Sequence, residues 1–155
     1  MITFAVETWK VLEAEAQECF KLHYEEISAD KDIPLAVNNK AFRVMEDAGL
    51  LHVVIARNEA GAIIGYCVAL VHEHLHYMSL LAAYVDIYWV HPAARRVQGQ
   101  LVGLRMMQTV EQTLKARGVR KIFAGTKRAH DASSMFEKLG WKAAETLYTK
   151  RLDGG

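Results

Sequence analysis

Residues 90–107, "VHPAARRVQGQLVGLRMM", set a proline, two adjacent arginines and two glycines four residues apart between an apolar run and an amphipathic stretch. The chemistry open to such a pattern is the binding of an anion. A helix start presents unpaired backbone N–H groups and a partial positive charge. Glycines let a bulky anion reach that backbone, and arginines add charge-assisted hydrogen bonds. The stretch is therefore a candidate pyrophosphate cradle. It is neither of two familiar nucleotide motifs, because no Gly-Lys-Ser/Thr follows and the glycines lack the G-x-G-x-x-G spacing. Spacing leaves a blander alternative open, in which Gly103 permits close helix packing and the arginines are solvated.

Two further groups have chemical potential. Asp86 interrupts the apolar run "YVDIYWV" six residues before Pro92. Burial there raises a carboxyl pKa toward a useful range, although the same aspartate could pair with an arginine or accept backbone hydrogen bonds. "VHEHLHY" alternates His72, His74 and His76, with Glu73 beside them. On a strand the three imidazoles share a face, which looks metal-like. No matching cysteine or acidic pattern supports zinc, so no metal is expected; substrate-side polar groups, a proton relay or a plain polar edge remain. Cys19 and Cys67 lack metal or redox spacing and read as reduced, buried thiols.

The elements that must position these groups follow from periodicity. "ITFAV" is a short strand, and "TWKVLEAEAQECFKLHYEEI" an amphipathic helix with Trp9, Leu12, Ala16, Cys19, Phe20 and Tyr24 near helical spacing. Pro34 excludes helix from "SADKDIPLAVNNK", and a second helix over "KAFRVMEDAG" closes at Gly49. "RNEAG" joins two β-rich runs as a hairpin loop. "HLHYMSLLAA" is an ambiguous connection, and "YVDIYWV" reads as a central strand covered on both faces. Met106, Met107, Val110 and Leu114 mark the face of a helix closing at Gly118. "RKIFAGT" is a strand, "DASSMFEKLG" a helix and "WKAAETLYTKRL" a last strand. The order is β-α-α-β-β-β-α-β-α-β, an α/β (α+β) class with a mixed central sheet flanked by helices. Segment 84–126 is a β-α-β unit, so its strands should be parallel.

A chain of 155 residues with 52% hydrophobic and 24% charged content argues for one packed domain over 1–155. Nineteen basic and eighteen acidic side chains give no global push toward nucleic acid or membrane. The start "MITFAVETWK" lacks the pattern of a secretion signal, and the apolar runs are too short for a membrane span, so a cytoplasmic location is expected.

At three segments the chain resembles the GCN5-related N-acetyltransferases (GNAT), which use acetyl-coenzyme A. "DIYWVHPAARR" is similar to the family's fourth strand ending in valine-x-proline-x-x-arginine. "GQLVGLRMMQTVEQTLKARGV" looks like its glycine-containing loop and helix, and "ASSMFEKLGWKAAE" like its later helix and following strand. "HLHYMS" and "LYTKRL" also resemble members found in phage and prophage genomes. The family core, Gln/Arg-x-x-Gly-x-Gly/Ala, fits Arg96 to Gln100 and then meets Leu101 where a small residue is usual. The alternative, which is favoured, is a longer loop with Gly103 opening the helix.

The resemblance implies direct attack of a primary amine on the acetyl thioester. It implies coenzyme binding by N–H donors around Gln98, Gly99, Gln100, Val102, Gly103 and Leu104, flanked by Arg95 and Arg96. Backbone N–H groups near Trp89 and Val90 would hold the thioester oxygen. Asp86 becomes the candidate general base, with Glu73 and His76 as further catalytic candidates. The family tyrosine that faces the coenzyme sulfur is Phe136 here, so either a water, Ser133, Ser134 or Tyr148 would replace it or thiolate protonation would be left to solvent, with Phe136 packing on the pantetheine arm. The expected partners are acetyl-CoA and an amine-bearing acceptor, with a homodimer in keeping with family habit. The competing expectation is a catalytically weak or inactive coenzyme A-binding or interaction module of the same fold.

Overall fold

The computed structural model describes residues 1–155. The elements run β1 (Thr3–Glu7), α1 (Trp9–Glu15), α2 (Gln17–Ile27), α3 (Asn39–Asp47), β2 (Leu51–Arg57), β3 (Ile63–Glu73) and β4 (Leu81–Val90). A 3-10 turn at Pro92–Ala94 leads into β5 (Arg96–Val97), β6 (Gln100–Leu101), α4 (Val102–Ala116), β7 (Lys121–Phe123) and α5 (Ser133–Lys138). The main sheet is ordered β1-β2-β3-β4-β7, antiparallel except for the parallel β4–β7 pair that the crossover helix α4 requires.

Each face of the sheet carries one apolar cluster. The α4 stripe of Met106, Met107, Val110 and Leu114 is at most 1% exposed and packs on Val54, Cys67, Ala69 and Ala83. Trp9, Leu12, Ala16 and Phe20 cover the other face with Val53, Ile55, Tyr66, Val68 and Trp89. β4 contributes to both clusters, as a doubly covered strand must. The fold is thus a mixed α+β sheet with helices on both faces.

Two features of β4 shape the site. Val85 pairs with Ala69 and Ile87 with Val68, so Asp86 is an extra residue with no partner, a β-bulge. Bulges bend the strand that carries them, and β4 stays paired with β3 beyond this one as far as Gly65/Val90. β7 pairs with β4 only at Ala82/Lys121, Ala83/Ile122 and Tyr84/Phe123, after which the two strands part.

Three expectations need correction. The first long helix is broken at Ala16 (φ −106°, ψ 16°), which is wholly buried; the break lets α1 and α2 each lay an apolar face on the sheet. The strand expected over "RKIFAGT" stops at Phe123. The last strand over 141–152 does not form. β7 offers only three residues of edge, and the tail is instead tethered by Arg151 to Asp32, 2.7 Å away.

Candidate active site

The parting of β4 and β7 exposes backbone. His91 N–H donates to the Ile64 carbonyl (2.7 Å), and bonding to β3 recurs at every second residue of an antiparallel ladder. Trp89 therefore spends its N–H on β3, opposite Tyr66, while Tyr88 and Val90 turn theirs away from β3 into the gap. Of the two donors expected here, Val90 has the required direction. Trp89 does not, and its neighbour Tyr88 does. The gap opens at one end toward the start of α4.

The loop between β4 and α4 is the longer of the two versions considered. Arg96/Leu101 and Val97/Gln100 form a small hairpin turning on Gln98 (φ 49°) and Gly99 (φ 77°), a pair of left-handed residues suited to a two-residue turn. α4 then begins at Val102 behind Leu101, which supplies no side-chain cap. The Val102 N–H is taken by the Arg95 carbonyl at 3.0 Å, which leaves the Gly103 and Leu104 amides in an uncapped first turn. A Cβ on Gly103 would meet Met135 Sδ at 3.4 Å, an ordinary contact, so packing against α5 does not require the glycine, and its effect is to keep backbone open.

The two arginines separate in role. Arg95 Nη2 bonds both carboxylate oxygens of Glu26 at 2.6 Å, and its Nε donates to the Val90 carbonyl at 3.0 Å. It fastens the loop to α2 and to the end of β4, and so is not a free phosphate ligand. Arg96 is exposed and makes no ion pair. Gln100, on the hairpin, receives a hydrogen bond from Arg105.

Asp86 sits on the bulge, exposed at the mouth of the gap. Partial desolvation raises its carboxyl above the usual aspartate value, and the charge of Lys127 acts the other way. Glu73 and His76 are elsewhere. Glu73 pairs with Leu81, at the start of β4 and five residues before Asp86. At ~3.3 Å per residue that is roughly 16 Å along the strand. His76 lies in the exposed loop beyond it. Both sit at the β3–β4 turn, at the opposite end of β4 from Val90. The three alternating histidines do not share a face either. β3 ends at Glu73, His72 stacks on Tyr84, and His74 packs on Tyr77 in the turn; no group of potential metal ligands converges here.

Around the gap, Phe136 of α5 packs edge-on against Tyr88, with ring centroids 5.7 Å apart at 83°. Tyr88 reaches across and donates its hydroxyl to the Gly125 carbonyl at 2.7 Å. Ser133, at the start of α5, is committed to Asp131, which accepts from its N–H at 2.9 Å and its hydroxyl at 2.5 Å. Tyr148 is 88% exposed in the tail. On the other face, Trp89 stacks on His23, and its Nε1 is buried without a partner. His23 shares a 2.7 Å hydrogen bond with Tyr66, and burial pushes its pKa down to about 4. Tyr88, His23 and Lys127 are the members that the sequence reading missed. Tyr88 alone carried a signal, as a polar-tipped aromatic two residues from Asp86 in the central strand.

An open, donor-lined gap leading to an uncapped helix start fits an extended thioester whose far end is anionic. Comparison with known proteins supplies the family. Residues 9–141 match the Acetyltransferase (GNAT) family. A transcriptional regulator from Bacillus halodurans C-125 superposes with a TM-score of 0.75 at 22% identity, covering 98% of this chain and 100% of that one. Ribosomal-protein-alanine N-acetyltransferase from Brucella melitensis biovar Abortus 2308 gives 0.72 at 14% identity, covering 98% and 99%. A Clostridium acetobutylicum protein described as a predicted acetyltransferase, solved with acetyl-CoA, gives 0.71 at 13% identity, covering 100% and 99%. No curated protein matches the chain. No helix is long and apolar enough to cross a membrane. With the match spanning most of its length, the chain belongs to the GNAT acetyltransferase family.

Proposed function

We propose that this protein is an acetyl-CoA-dependent N-acetyltransferase that acylates a primary amine by direct attack. The observation that carries the reading is the gap between β4 and β7. It opens beyond Tyr84/Phe123, is lined by the outward N–H groups of Tyr88 and Val90, and leads to the first turn of α4. Acetyl-CoA supplies the activated acetyl group as a thioester. The Gly103 and Leu104 amides and the Arg96 guanidinium hold its pyrophosphate, and Arg95 keeps the loop in register through Glu26. Phe136 walls the pantetheine channel. The Tyr88 and Val90 N–H groups meet the oxygen on which charge develops, each such donor being worth about 3 kcal/mol of barrier. Asp86, at the mouth, accepts the proton that the attacking ammonium must lose, directly or through one water.

Calorimetry with acetyl-CoA on the purified protein tests this, together with thiol release as candidate amines are added. Micromolar-range binding is expected, weakened about tenfold in Arg96→Ala because one charge-assisted contact is lost. No binding by a chain shown to be folded sinks the reading. Phe136, which brings no hydroxyl to the gap, favours a second possibility, a coenzyme A-binding module with little turnover. Tight binding with no acetyl transfer across a broad amine panel is its signature.

A further inference from the structure

When an amine attacks a thioester, the new C–N bond forms as the C–S bond breaks, and sulfur leaves with the electron pair. Something must give that thiolate a proton. Ser133 is held by Asp131, Ser134 is exposed on the outside of α5's first turn, Tyr148 is out in the tail, and Phe136 has no proton to give. One hydroxyl does stand in the gap. The Tyr88 side chain spans the opening where β4 and β7 have parted, its O–H donated to Gly125, its ring fixed edge-on by Phe136.

We propose that the Tyr88 hydroxyl is the acid that protonates the departing thiolate, standing in for the hydroxyl that Phe136 lacks. The proposal rests on acetyl-CoA being the donor. Tyr88 presents its own N–H to the same gap, so its hydroxyl and the backbone aimed at the thioester oxygen belong to one residue. The Gly125 carbonyl keeps the phenol pointed across the opening before a donor arrives. Rotation about the C–O bond releases the proton from that carbonyl toward a sulfur bound beside it. Partial burial raises the phenol above its usual pKa, so the proton is retained until a base forms beside it. The proton given to sulfur is replaced from solvent, while the proton lost by the amine leaves through Asp86. The sum is amine plus thioester giving amide plus thiol.

The test compares wild type, Tyr88→Phe, Phe136→Tyr and the double variant. Calorimetry measures the affinity of each for coenzyme A and for desulfo-coenzyme A, which lacks the sulfur. Thiol release from acetyl-CoA without an acceptor is followed in parallel. Tyr88→Phe is expected to weaken coenzyme A several-fold while leaving desulfo-coenzyme A unchanged, and to slow thiol release about 100-fold. Moving the hydroxyl back to position 136 in the double variant should restore both by tenfold or more. Equal losses for the two ligands, with no rescue, overturn the proposal and make the tyrosine a brace between the strands. Unchanged discrimination and unchanged thiol release overturn it too, with acetyl-CoA binding left intact. Wild-type protein that binds neither ligand overturns the donor assignment and, with it, the role of Tyr88.

Discussion

Asp86 is set between two opposing influences, and their signs make it testable. Partial desolvation raises its carboxyl from the usual 3.8, and Lys127 pulls it back. A base works only when ionised, so the rate of acetyl transfer should climb with pH through the pKa of Asp86. Lys127→Gln removes the charge that favours the carboxylate, and the acidic limb of the kcat/KM profile should move to higher pH. A limb that stays in place would separate Lys127 from the base. The same shift bears on stability. Below the usual aspartate pKa both the folded and unfolded chains hold the proton, and Asp86 costs nothing. Above the raised value both are ionised, and the fold carries the cost. Asp86→Asn should therefore raise Tm near neutral pH, give no gain near pH 3, and abolish transfer. A variant that is less stable at neutral pH would mark Asp86 as a structural residue.

At the scale of elements, the loop and helix from 95 to 105 separate folding requirements from binding requirements. Gly99 must be glycine-like for the hairpin, because its φ of 77° disfavours any side chain. Gly99→Ala should cost about 1 kcal/mol. Gly103 has no such need. It lies in the first turn of α4, and a methyl there would meet Met135 Sδ at an ordinary contact distance of 3.4 Å. Gly103→Ala should stabilise the helix by roughly 0.5 kcal/mol yet narrow the approach to the open amides, weakening acetyl-CoA about tenfold. Stability measured by urea denaturation and affinity by calorimetry should thus move in opposite directions. If affinity is unchanged, the anion does not sit on this turn. The amphipathic helix α4 and the RNEAG hairpin could be read from periodicity and turn residues alone, since both signals are local. The role of Arg95 could not. Its partner Glu26 is 69 residues away, and no spacing rule distinguishes a phosphate-binding arginine from one committed to α2.

Across the whole molecule, the covered central strand and the parallel crossover were legible in the apolar run 84–90 and the helix that follows. The gap was not, because it depends on where β7 stops and on a bulge that shifts one register. The last strand was misread for a related reason, since a β pattern needs an edge long enough to pair with. Also hidden were two histidines whose burial depends on the packing of distant segments. His23, on the buried face of α2, lies against Tyr66 and Trp89, and His52 of β2 shares a 2.8 Å hydrogen bond with Thr113 of α4. Both are under 8% exposed, and burial pushes each pKa down from 6.5 to about 4. The unfolded chain takes up these protons near pH 6.5, whereas the folded chain resists them until about pH 4. Their contribution is whole above pH 6.5 and is lost as pH falls toward 4, on the order of 3 kcal/mol for each. Carboxylates held low by partners, such as Glu7 beside Arg57, act mainly below that window. Urea midpoints should therefore fall steeply between pH 6.5 and 4.5, and the double variant His23→Gln/His52→Gln should lose most of that slope. A midpoint independent of pH over this range would mean that the two imidazoles meet water in the folded state, and that α2 and α4 pack less tightly on the sheet than the contacts at Tyr66 and Thr113 require.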